Sequence, residues 1–107
     1  MKQGMIKVSV IYSNGSGKQF DMDYYCSVHA PMVSGLLGDA LKGVTVEKGL
    51  SGSTPGSPSP YAAMGNMYFS SLEDFGKAFE PNADKIIGDM PNFTNIQPLI
   101  QISEVII

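Results

Sequence analysis

The sequence predicts a single α+β domain of order β-α-β-β-α-β, a four-stranded antiparallel sheet with its helices on one face. Three observations predict it. Segments with apolar residues at every second position alternate with segments where they recur at three and four. A block made only of Ser, Gly, Pro and Thr joins the second and third strands, as a hairpin loop does. The 107 residues suffice for one core and leave little room for a second.

Ile6, Val8, Val10 and Tyr12 alternate to form the first strand, which ends in the turn-forming run Ser13-Asn14-Gly15-Ser16-Gly17. The set Met22, Tyr25, Cys26, His29, Val33, Leu36 and Leu37 then predicts one apolar face of a helix. Asp21 fits its N-cap, Phe20 and Tyr25 the two ends of a hydrophobic staple, and Asp23 the first turn, where the helix dipole favours a carboxylate. Gly38 closes the segment. Pro31 has no N–H and its ring crowds the carbonyl four residues back, so the helix is expected to kink or restart there.

A second strand is expected over Val44 to Leu50. It runs into Ser51 to Pro60, a loop that serves either as a plain connector or as an arm lying on a partner. The third strand, Tyr61 to Phe69, is apolar on both parities, which predicts that both its faces are covered. Ser70 and Glu73 have capping-box spacing at the start of a second helix whose core face is Leu72, Phe75 and Phe79, ended by Pro81. Ala83, Ile86, Ile87 and Met90 predict a further helical stretch before Pro91. The last strand falls within Thr94 to Ile107, where Pro98 demands an edge or a bulge.

This order is the split βαβ of ferredoxin-like domains. One sheet face is left open, and with 43% hydrophobic and 16% charged residues the chain has little charge to solvate it, so a homodimer with paired sheets is expected. Seven Lys, no Arg and a net charge of -3 argue against a nucleic-acid partner, because no basic stripe and no bidentate fork exist. One Cys and one His build neither a zinc site nor an intrachain disulfide, and Asp21 and Asp23 are accounted for by helix capping, so no metal is expected. No signal-type segment and no membrane span is present in the sequence, which reads as a cytoplasmic protein with no membrane partner. Residues 5–107 are expected to form the domain and residues 1–4 a leader.

His29 is the one side chain of a type that titrates near neutrality. Two readings compete. It is a half-buried structural histidine bonding a carbonyl freed at Pro31, or a general acid/base in a pocket between helix and sheet. In the second reading Tyr25 assists it, and Tyr12, Val33, Met64, Asn66 and Tyr68 contact a small organic ligand. Cys26, predicted on the same face one turn earlier, would need His29 to activate it and reads more simply as a small apolar residue. The methionines and aromatics are core, or the wall of a pocket for a flat apolar ligand. Nucleotide-binding, Walker, Gly-x-Ser-x-Gly and Cys-x-x-Cys patterns do not occur.

The stretch Phe20-Asp21-Met22-Asp23-Tyr24-Tyr25, then His29-Ala30-Pro31-Met32 and Leu36-Leu37-Gly38, resembles the EthD family of dimeric α+β barrel proteins. So do Tyr61 to Phe69 running into Ser71 and Phe75, and the endings Asn95-Ile96-Gln97-Pro98 and Gln101-Ile102-Ser103-Glu104. The resemblance implies a ferredoxin-like chain that pairs its sheet with a second copy, and it carries the family motif onto Tyr25, His29 and Pro31. It implies an association with the breakdown of ether fuel additives, and superfamily relatives that include cofactor-independent oxygenases, muconolactone isomerases and heme proteins. The expectation is a catabolic protein that uses His29, without a cofactor, for proton transfer during isomerisation, cyclisation or dehydration of a small flat substrate. The alternatives are a non-catalytic binding or accessory module for an oxygenase, and heme binding through His29.

Overall fold

Even-numbered residues of β1 (Ile6–Ser13) and odd-numbered residues of β3 (Tyr61–Phe69) share one face of the sheet, because the strands pair antiparallel with Val8 opposite Met67 and Tyr12 opposite Ala63. In the computed structural model, which describes residues 2–107, β2 (Gly43–Lys48) and β4 (Leu99–Glu104) complete an antiparallel sheet of order β2-β3-β1-β4. The α+β order expected from the periodicities is the one observed.

Helices cover the face carrying Val8, Tyr12, Ala63 and Phe69. The first helical run comprises α1 (Met22–Tyr24), a π-helical turn over Tyr25–His29, and α2 (Ala30–Leu37). Asp21 caps it as expected, its Oδ1 accepting the Tyr24 N–H at 3.0 Å. The run ends at Gly38, whose φ of 59° lies where glycine is favoured. The helix restarts at Pro31, which sits in the first turn of α2, and the chain widens into the π-turn just before it, where Ala30 N–H bonds the Tyr25 carbonyl five residues back. This winding corrects one expectation: Cys26 leaves the apolar face and is exposed.

The second helical layer is α3 (Leu72–Phe79), a 3-10 turn at Glu80–Asn82 and α4 (Ala83–Gly88). Its N-cap is Ser71, accepting from Asp74 N–H, one residue later than the expected Ser70 box, and Leu72 is exposed rather than core. β2 ends two residues sooner than expected, and the last strand is confined to Leu99–Glu104, an edge strand that begins directly after Pro98.

Two apolar clusters hold sheet and helices together. Val8 and Phe69 pack with Val33, Leu37 and Ile86, and Tyr12 and Ala63 pack with Tyr25, Phe93 and Ile96. The opposite face is mixed. Ser9 Oγ donates to Asn66 Oδ1 at 2.9 Å and Asn66 Nδ2 to Thr45 Oγ1 at 3.1 Å, a polar ladder flanked by Ile11, Met64, Tyr68 and Leu99 on the same parity. The Ser/Gly/Pro loop folds back on itself through Gly52 N–H to the Ser57 carbonyl, and Asn14 bonds the carbonyls of Ser59 and Pro60. Residues 2–4 form a turn from which Gly4 N–H reaches the Val105 carbonyl; Met1 lies outside the described residues. Among the described residues no helix is long and apolar enough to cross a membrane.

Candidate functional site

Between the helices and the sheet lies a cavity of about 200 Å³. Its walls come from both clusters: Val8, Val33 and Ile86 on one side, Tyr12 and Tyr25 on the other. Toward the sheet edges it is bounded by Val44, Ile87 and Ile100, which are 46%, 56% and 65% exposed.

The π-turn is what brings Tyr25 and His29 together here. Their rings stack at 5.3 Å between centroids and 21° between planes, and both residues are buried. Phe93 closes on the imidazole at 4.6 Å. His29 Nδ1 lies 2.9 Å from Asp89 Oδ2, with the Asp89 side chain 13% exposed. A carboxylate only accepts, so Nδ1 carries a proton, and in the neutral ring Nε2 is the nitrogen with the lone pair. Nε2 has no protein partner among the described residues, and it is not fully enclosed.

Asp89 is itself fixed from three sides. Its Oδ1 accepts from Tyr24 Oη at 2.7 Å and from Asn92 Nδ2 at 2.9 Å, while Oδ2 takes the histidine. Burial acts to raise its pKa, but the hydrogen bonds from Asn92, His29 and Tyr24 outweigh burial and hold the carboxyl below its usual value. Donation to that carboxylate is in turn the main cause that raises the Tyr24 phenol.

The second polar feature is a pair of phenols. The rings of Tyr12 and Tyr25 meet edge-on at 6.0 Å between centroids, and burial, the largest cause, raises both above the usual phenol value. Both stay neutral, so each keeps a hydroxyl proton that can be offered to a ligand. Gly65 makes room for this hydroxyl, since a Cβ at that position would collide with Tyr25 Oη.

Of the residues expected at the site, Tyr12, Tyr25, His29 and Val33 are brought together. Asn66 borders the cavity, yet its side chain bonds Ser9 and Thr45 on the far face of the sheet. Met64 and Tyr68 share the Asn66 parity and lie on that far face. Sequence reasoning missed Asp89, 60 residues from His29, and also missed Gly65. Its one available signal was an acidic residue between two helix-ending segments, which marks capping as readily as chemistry. Cys26 faces away from this site, and among the described residues no group of three or more potential metal ligands occurs.

The fold and the cavity define an α+β protein of ferredoxin-like topology with a histidine–carboxylate pair at the helix–sheet interface. The EthD domain model matches residues 14–97, and the chain belongs to the EthD family. It is similar to an EthD-like protein of Ralstonia eutropha JMP134, at 46% identity over 99% of this chain and 96% of that one, with a TM-score of 0.93. An ethyl tert-butyl ether D (EthD) family protein of Bacillus halodurans C-125 shares 21% identity over 94% and 97% of the two chains, TM-score 0.71. A dimeric protein of unknown function and ferredoxin-like fold from Bacteroides fragilis NCTC 9343 shares 13% identity over 97% and 99%, TM-score 0.57, a likeness of fold alone. No curated protein matches the chain.

Proposed function

We propose that this chain is a cytoplasmic, homodimeric catabolic protein that catalyses cofactor-independent proton transfer on a small flat organic substrate, with His29 as general base and acid. The observation that carries the reading is the Asp89–His29 pair, which leaves Nε2 as the free nitrogen of a ring lining an apolar cavity, stacked on Tyr25. The Nε2 lone pair takes a proton from carbon next to a carbonyl, and the C–H electrons become the C=C bond of an enolate whose oxygen accepts from Tyr25 Oη. The imidazolium, stabilised by Asp89, returns the proton at another carbon of the same molecule, so no electrons and no co-reactant are required.

Homodimer formation is supported by the exposed Leu99, Ile100, Ile102 and Ile106 in and after β4, and by Ile11, Met64 and Tyr68 on the open face. Heme is not part of the reading, because about 200 Å³ is below even the roughly 300–1,000 Å³ of pockets for drug-sized ligands. The test is a screen of small lactones and phenols for an isomerised or dehydrated product, with wild-type protein and His29→Gln in parallel. Turnover by wild type that is lost in a folded variant is expected. A folded variant with unchanged turnover overturns the catalytic role and moves the protein to the binding or accessory reading.

A further inference from the structure

We infer that the ligand of this cavity is an uncharged single-ring molecule bound through one oxygen, and that the site rejects carboxylates; this rests on the cavity being the functional site, as read above. The first support is charge. The polar side chains that line the cavity are Tyr12, Tyr25, His29 and Ser34, and none of the seven lysines is among the lining residues. A ligand carboxylate entering here would lose its hydration and meet neither a lysine nor an arginine, while the one ring able to carry positive charge, His29, is already paired with Asp89. It would also approach Asp89, the acceptor already committed to the far nitrogen of His29.

The second support is the direction of the hydrogen bonds. The Tyr25 hydroxyl lies at the cavity wall against Gly65 with a proton to give, while in the neutral ring the protonated Nδ1 of His29 leaves Nε2 an acceptor. A phenol or enol oxygen satisfies both at once, accepting from Tyr25 Oη and donating to Nε2. A carboxylate has no proton to give to Nε2. The third support is size. An apolar cavity of about 150 Å³ holds benzene, so about 200 Å³ takes one substituted ring. Val33, Ile86 and Phe79 line the cavity without adding any donor for a second polar group.

The probes are 4-methylphenol and 4-methylbenzoate, matched in ring and methyl group, titrated into the whole chain at neutral pH while amide shifts are followed by two-dimensional NMR. Saturable 4-methylphenol binding that moves the Gly65 and His29 amides, with 4-methylbenzoate at least tenfold weaker, is expected. Tyr25→Phe should weaken 4-methylphenol severalfold and leave toluene binding unchanged, which separates a lost hydrogen bond from a collapsed cavity. Equal or tighter binding of 4-methylbenzoate overturns the inference, and so does the absence of saturable binding by 4-methylphenol. Charge-selective binding in a protein that turns nothing over upholds it even where the catalytic reading fails.

Discussion

Asp89 Oδ2 lies 2.9 Å from His29 Nδ1, joining the turn after α4 to the π-turn between α1 and α2. The contact decides which imidazole nitrogen is left for chemistry. It also makes one carboxylate both a packing element and the orienter of the proposed base, so its loss should register in stability and in activity together.

Replacing Asp89 by Ala removes the acceptor of three hydrogen bonds and leaves the nearly buried imidazole unpaired. The expected loss is about 1–3 kcal/mol, read from urea denaturation, with the proposed proton transfer falling by at least tenfold. A variant as stable and as active as wild type would show that the carboxylate neither supports the fold nor orients His29.

The pH dependence follows from the direction of the Asp89 shift. Its folded pKa lies below the unfolded carboxylate value of about 3.9, so ionised Asp89 contributes stability that is fully present above that value. The contribution is lost as pH falls through the folded value. Wild type should therefore lose more melting temperature than Asp89→Asn between pH 5 and acid, in a window of about pH 4 and below. Parallel curves for the two proteins would contradict the assignment.

Gly65→Ala places a methyl group where Tyr25 Oη sits. The overpacking should cost about 1–3 kcal/mol, and Tyr25→Phe in the same chain should recover most of it. The double-mutant cycle measures this coupling directly; additive effects would mean that Gly65 and Tyr25 do not compete for one space.

Much of the fold is legible because periodicity is a local signal. The alternation in Ile6 to Tyr12, the cap at Asp21 and the span Tyr61–Phe69 all appear where the residues predict them. The site is legible only in part. His29, Tyr25 and Val33 share a helical face, and Tyr12 shares the sheet face it packs on, so pattern finds them. A π-turn has no such signature, which is why Cys26 was expected inward and is exposed. β3 is apolar on both parities, and pairing alone decides that Met64, Asn66 and Tyr68 turn from the cavity while Gly65 turns toward it. Asp89 depends on a contact between distant segments that no local pattern encodes.

Dimer formation is predicted to depend on the sheet face opposite the helices. Met64→Lys introduces a charge beside the Ser9–Asn66–Thr45 ladder without touching the helix side. Sedimentation equilibrium should give a dimer for wild type and a folded monomer for the variant. A wild-type monomer at micromolar concentration would remove the proposed pairing.

Phe69, the last residue of β3, is fully buried between the sheet and the helices, in contact with Phe75 at 5.0 Å between ring centroids. Phe69→Ala should cost about 3–5 kcal/mol, measured by chemical denaturation. A loss below about 1 kcal/mol would be incompatible with a site at the centre of the apolar core.

The central claim is that His29 Nε2 takes a proton from carbon in the cavity and returns it to carbon through an imidazolium whose N–H exchanges with solvent. Its most direct measurement is deuterium incorporation from D2O into cyclohex-2-enone, followed by proton NMR, with wild type and His29→Gln compared at equal folded concentration. Wild type should exchange the carbon-bound protons at least about 100-fold faster than the variant. Exchange at the same rate in both proteins, or no faster than in buffer alone, would contradict it.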